Sequence, residues 1–173
     1  MAAGVQQNRR QPSFYVRWIM HDQKILIVGV GNLLLQDEGI GVHIIQALQD
    51  RELPAHVDLL DMGTATMNLA FYLDGVQKVI IVDALKAGQA PGTIYQCRPE
   101  DLIADKEGPV SLHDLGVVES LSMSKKLGYS PEVVIIGVEP KTIDWGMELT
   151  DEVQKQVPAI IDIILKKCQR NGG

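Results

Sequence analysis

The sequence predicts an α/β protein, a three-layer α/β/α sandwich built on a twisted, mostly parallel five-stranded sheet. Two observations carry that prediction. The runs "KILIVGV" (24–30), "KVIIVDA" (78–84) and "EVVIIGV" (132–138) are apolar almost throughout, the pattern of strands buried on both faces rather than one. Amphipathic helical stretches fall between and after them, and strands that alternate with helices build a parallel sheet covered on both sides.

Taken in order, the first strand, 24–30, ends in glycine. Residues 39–51 read as a helix, with Ile40, Ile44, Ile45 and Leu48 on one apolar stripe. "PAHVDLL" brings a second strand that closes at Asp61, "DMGT" is a turn, and 66–74 reads as a short helix. The strand at 78–84 follows, then the loop "LKAGQAPG" and a less apolar strand, "TIYQCR", suited to an edge. A helix begins near "SLHDL", with Ser111 as N-cap and Asp114 placed to return a bond. After the strand at 132–138, "EPKTIDWGMEL" is a loop. Thr150 is expected to cap one long final helix. Asp151 and Glu152 lie at its start and Lys166, Lys167 and Arg170 near its end, an order that complements the helix dipole. Val153, Val157, Ile160, Ile161, Ile164 and Cys168 form its buried stripe.

The chain divides into a polar N-terminal tail, 1–23, and a single α/β domain, 24–170. "MAAGVQQNRRQPS" has little to bury, and Met20, just before the first strand, is the expected functional start, with an extra strand or a packing arm as the alternative. A chain of 173 residues suffices for one domain with a sizeable core. The net charge of −6, with no basic run beyond "NRRQ" and "LKKCQR", argues against nucleic-acid binding. No apolar run approaches membrane-spanning length. The two cysteines, Cys97 and Cys168, have no metal-ligand spacing and fit a reducing, cytoplasmic setting.

In doubly wound sheets, sites lie beyond the carboxyl ends of the strands, so the residues just after the apolar runs are the informative ones. "GVGNLL" begins like a dinucleotide fingerprint, but Leu34 stands where the third glycine belongs. No lysine completes a phosphate loop, and the pair Asp37–Glu38 would repel a pyrophosphate. Gly29 and Gly31 can simply let the strand exit tightly. Asp37, with the shorter side chain, is the better candidate to cap the following helix, which leaves Glu38 to point across the strand tips. Asp83 ends a fully apolar strand. A carboxylate there needs amides, a cation or a proton, so a catalytic or metal role stands against bonding to loop amides. His113, at a helix start, is a capping or surface residue or a neutral imidazole ligand. His43, one turn beyond Gly39, could approach the site, with solvated helix surface the favoured reading. Together, Glu38, Asp83 and His113 map near one sheet edge. They would make an oxygen–oxygen–nitrogen site with open positions, suited to zinc, nickel, manganese or iron. Nucleophilic readings are weak: no GxSxG elbow occurs, and both cysteines read as packed.

These residues carry a resemblance. "GVGNLLLQDEGIG", the "VDA" after a central strand, "SLHDLG", "DMGT" and "GVEP" occur in the order found in the nickel–iron hydrogenase maturation endopeptidases, and the chain from about Lys24 to Lys167 resembles that family. Met62 stands where many relatives carry glycine and is expected to narrow that loop or to meet a different substrate surface. The resemblance implies removal of the C-terminal extension of a nickel–iron hydrogenase large-subunit precursor after nickel insertion. Nickel held by the substrate would be the recognition element, and zinc or cadmium could occupy the site in vitro. It implies Glu38, Asp83 and His113 as metal ligands. Asp37, Glu38 and Asp83 are the expected catalytic set, with Asp37 or Glu38 as general base, metal binding favoured for Glu38 and Asp37 kept as a helper. It also implies a monomeric, cytoplasmic aspartyl-type protease with no nucleic-acid or membrane partner. Two other readings remain: a non-enzymatic nickel-dependent chaperone for the same precursor, and a dinucleotide-binding reductase fragment.

Overall fold

The computed structural model describes residues 24–104 and 112–169. The expected tail, Met20 and the Ser111 cap lie outside the described residues. Five strands form one sheet: β1 (Lys24–Val30), β2 (Val57–Gly63), β3 (Val76–Ala84), β4 (Ile94–Cys97) and β5 (Glu132–Val138), in the order β2-β1-β3-β5-β4. Neighbours run parallel except β4, which pairs antiparallel with β5 at the edge. This is the expected sheet, with the less apolar "TIYQCR" segment at the rim.

Strand alternation separates two cores. On one face Ile25 and Ile27 of β1 and Ile80, Val82 and Ala84 of β3 meet the helices α1 (Ile40–Gln49) and α5 (Val157–Cys168) through Ile44, Ile45, Ile160 and Ile164. On the other, Leu26, Val28, Val79 and Ile81 meet Val117 and Leu121 of α3 (Leu112–Lys126) and Leu69 and Leu73 of the 66–73 segment. Both faces of β1 and β3 are therefore buried, which is why their sequences show no polar alternation. Lys24 and Lys78, at the strand starts, pair with Asp58 (2.9 Å) and Glu132 (3.5 Å) on adjoining strands.

Four local expectations change. The segment after Ala65 is a 3-10 helix, Thr66–Tyr72. It sits under α3 at close range: a Cβ on Gly116 would lie 2.2 Å from Thr66 Oγ1. The Ser120 hydroxyl accepts from Ala70 N–H at 2.7 Å and donates to the Met67 carbonyl at 3.2 Å. A short helix, α2 (Pro99–Ala104), was not anticipated. Its signal was "RPED", proline at the first helical position with Asp101 accepting from the Arg98 amide at 2.7 Å. The final helix is two segments, α4 (Asp151–Gln154) and α5, and Pro158 is the reason. It has no N–H to give the Gln154 carbonyl, and its ring crowds that position. Met62 is buried in the second core instead of facing a substrate.

The topology fixes where chemistry belongs. From β1 the chain passes to β2 on one side, then crosses back to β3 on the other. The two crossovers diverge between β1 and β3, and the crevice of a doubly wound sheet opens beyond those tips.

Candidate active site

The β1 tip turns through Gly31 into a 3-10 turn, Gln36–Gly39, that carries both acids. Gly31 has φ +127°, and a Cβ there would fall 1.8 Å from the Glu38 carbonyl oxygen, so a side chain would evict the turn. The same point is 3.6 Å from Asp83 Oδ1. Glu38 and Asp83 thus border one glycine at the switch point. The third fingerprint glycine, missing at Leu34, has a substitute. Gly41, in the first turn of α1, would place a Cβ 2.2 Å from the Val30 carbonyl and 2.3 Å from that of Val82. It lets α1 approach β1 and β3 directly, bringing the acidic turn down onto the sheet.

Asp37 and Glu38 have different surroundings. Asp37 is fully buried, and it does not cap α1, whose N-cap is Gly39 with no side-chain bond. Its Oδ2 accepts from the amides of Lys141 (2.9 Å) and Thr142 (3.0 Å), and its Oδ1 accepts from the Thr150 amide (2.8 Å). The Thr150 hydroxyl donates to it as well, at 2.8–3.0 Å. Thr150 does stand at the N-cap of α4, yet its hydroxyl is turned to Asp37 rather than to its own helix. Asp37 therefore ties the β1 tip to the loop 140–150 after β5. Glu38 is only partly buried, on the outer side of the same turn.

Asp83 is 3% exposed at the end of β3, and its Oδ1 accepts from the Ala84 amide at 2.8 Å. By strand alternation it follows Ile81 onto the face covered by α3. His113 belongs to the first turn of α3. Its side chain lies outside the described residues. Among the described residues no group of three histidine, cysteine or acidic side chains suited to a metal occurs. The structure thus brings the backbone of Glu38 and the carboxylate of Asp83 to either side of Gly31, and the helix that carries His113 covers the face onto which Asp83 turns.

A buried acid that the sequence reading passed over completes the tip. Glu139, just after β5, accepts from the amides of Ala87 (2.8 Å), Gly88 (3.3 Å) and Gln89 (3.3 Å) and from the Tyr95 hydroxyl (2.5 Å). Burial alone would raise its pKa, but the Tyr95 hydroxyl and these amides outweigh it and hold the carboxyl below its ordinary value. Tyr95 is pushed up to about 12, by burial first and by Glu139 second. Glu139 anchors the loop that leaves Asp83. The signal was its place just past an apolar strand, the same signal that singled out Asp83. His43 is not simply solvated, since its Nε2 lies 3.0 Å from the Met147 carbonyl. Burial raises the Cys168 thiol, consistent with a packing role.

A doubly wound sheet whose switch-point tips carry acids instead of a phosphate loop defines an α/β protein distinct from the nucleotide-binding ones. A family model described as hydrogenase maturation protease matches residues 42–167. The hydrogenase 2 maturation protease of Escherichia coli is 36% identical over 152 residues, spanning 86% of this chain and 93% of its own. A putative hydrogenase maturation protease of Methanocaldococcus jannaschii is 33% identical, spanning 87% and 100%. The solved structure of the E. coli hydrogenase maturating endopeptidase HybD superposes with a TM-score of 0.76 at 36% identity, over 84% of this chain and 91% of that one. That of the [NiFe] hydrogenase maturation protease HybD of Thermococcus kodakarensis gives 0.71 at 29% identity, over 85% and 100%. The chain belongs to the hydrogenase maturation protease family, and it is a peptide-bond hydrolase.

Proposed function

We propose that this chain removes the C-terminal extension of a nickel–iron hydrogenase large-subunit precursor once nickel has been inserted, reading the nickel as part of the substrate. The observation that carries this reading is the meeting of the Glu38 turn and Asp83 around Gly31, at the switch point of a fold shared with hydrogenase maturation proteases. Glu38 and Asp83 supply oxygen donors and His113 the imidazole. Two carboxylates balance a divalent charge, and the open positions are left for substrate thiolates. Nickel bound there would contribute Lewis acidity and a fixed position for the polypeptide. A donor set that is weak by itself makes metal loading a test of the correct precursor, because affinity is complete only when the substrate brings its own ligands.

Hydrolysis also requires a base. On this reading Glu38, which is partly exposed, accepts a proton from water as the new C–O bond forms. The C–N bond then breaks, and that proton passes to the departing amine. Asp37 serves as a positioning residue: its carboxylate is buried and accepts from three amides and a hydroxyl, which hold the β1 tip against the 141–150 segment.

The test is a mass measurement of purified precursor mixed with this protein, with and without nickel. The expected result is a shortened product from the nickel-loaded precursor alone. A stable complex without shortening would instead favour a chaperone, and equal cleavage of both forms would remove nickel from the recognition step.

A further inference from the structure

The acidic turn is joined to a second loop, and the pair presents apolar side chains to solvent. Leu35 bridges Gly146, with Gln36 N–H donating to the Gly146 carbonyl at 2.8 Å and Gly146 N–H to the Leu34 carbonyl at 3.0 Å. His43 holds the Met147 carbonyl from below, and Asp37 fixes both ends of the 141–150 segment. On this bonded platform Trp145 is 79% exposed, Met147 56% and Leu34 49%. Large apolar groups held outward on a rigid support mark contact surfaces more often than solvent-facing loops. The platform is continuous with the candidate site, since the Glu38 amide donates to the Leu35 carbonyl at 3.2 Å. Its rim is acidic. Asp144 and Glu148 flank Trp145 and Met147, and among the described residues neither joins an ion pair, whereas Lys141 is taken by Glu152 at 2.8 Å.

We propose that Leu34, Trp145 and Met147 form the docking platform for the stretch of precursor polypeptide next to the nickel, a segment carrying apolar side chains and positive charge. This rests on the function proposed above but concerns a different step. The platform binds the chain, while Glu38 and Asp83 handle the metal and the peptide bond. The apolar groups supply affinity, and the acidic rim selects lysine or arginine and speeds encounter.

Trp145 provides its own reporter. The chain has two tryptophans, Trp18 and Trp145, so Trp18→Phe in the full-length protein leaves one. Adding nickel-loaded precursor to that variant is expected to shift its tryptophan emission to the blue. In cleavage assays Trp145→Ala is expected to raise KM by about 10-fold with kcat nearly unchanged. Asp144→Asn with Glu148→Gln is expected to weaken the salt dependence of KM. Phe71→Ser, an exposed apolar change on the 66–72 helix, is the control and should leave KM alone. Cleavage with a silent Trp145 and an unchanged KM overturns the platform and leaves the protease reading standing. Emission that shifts without cleavage keeps the platform and removes the protease reading. Absence of both removes both, and an equal KM rise in Phe71→Ser shows the effect is not specific to the platform.

Discussion

Asp37 and Glu38 are adjacent in the chain, on one 3-10 turn, but the fold treats them differently. Asp37 points inward and is enclosed by donors from the 141–150 segment, which makes it a clamp between the β1 and β5 tips. Glu38 stays at the rim beside Gly31, on the side where Asp83 ends β3. The same contrast recurs one tip away. Glu139 is enclosed by the amides of 87–89 and by Tyr95, while Asp83 occupies the switch point. Acids saturated by backbone amides hold loops in place, and the acids between them carry the proposed chemistry. Being charged and lying past a strand tip does not by itself separate the two kinds.

The comparison is broken most directly by removing one member of each kind. Asp83→Asn is expected to lower cleavage of nickel-loaded precursor by about 100-fold or more, since loss of a ligand should exceed the ~10- to 100-fold typical of its supporting partners. Its melting temperature should stay close to that of the unaltered protein. Full activity in steady-state assays would show that Asp83 is scaffold. Asp37→Ala is expected to do the reverse, lowering unfolding free energy by about 3 kcal/mol in urea titrations, because buried amides lose a charged acceptor. An unchanged midpoint would contradict the clamp.

Glu139→Gln is expected to have a smaller effect, about 1–2 kcal/mol, and it sharpens the comparison through pH. With its folded pKa below the ordinary 4.5, Glu139 contributes stability that is present above that value and lost as pH falls through the folded pKa. The Gln variant should therefore lose less stability than the parent on acidification. At the alkaline end the raised Tyr95 contributes stability that is whole below pH 10.0 and is lost as pH rises toward about 12. In the variant, ultraviolet titration should find the phenol ionising at lower pH, because Glu139 is the second cause of its rise. Smallest of all, Lys141→Met removes an exposed pair with Glu152, and thermal melts should not distinguish it from the parent.

Much of the frame was legible because its cause is local. Unbroken apolar runs at 24–30, 78–84 and 132–138 can only be strands covered on both faces, and a glycine-to-acid exit from such a strand marks a tip. Edge placement of "TIYQCR" followed from its weaker apolar character. The role of Asp37 was not legible, since its donors lie more than a hundred residues away in sequence. Thr150 illustrates the same limit. The sequence places it correctly at a helix start, but a tertiary acceptor competes for its hydroxyl. Gly41 was hidden for another reason: the close approach of helix and sheet was expected at the third glycine of a nucleotide fingerprint, and here it is displaced seven residues along the chain from Leu34. The break at Pro158, by contrast, could have been read from the proline itself.

The split between Asp37 and Glu38 is best tested by one paired measurement: Glu38→Gln and Asp37→Asn, each melted and each assayed by mass on nickel-loaded precursor. Glu38→Gln should unfold at the parent temperature and leave the precursor at full length. Asp37→Asn should unfold many degrees lower and, below its own transition, still shorten it. Should Glu38→Gln cleave normally, or should Asp37→Asn be stable and inactive, the assignment of one acid to chemistry and its neighbour to scaffold is wrong.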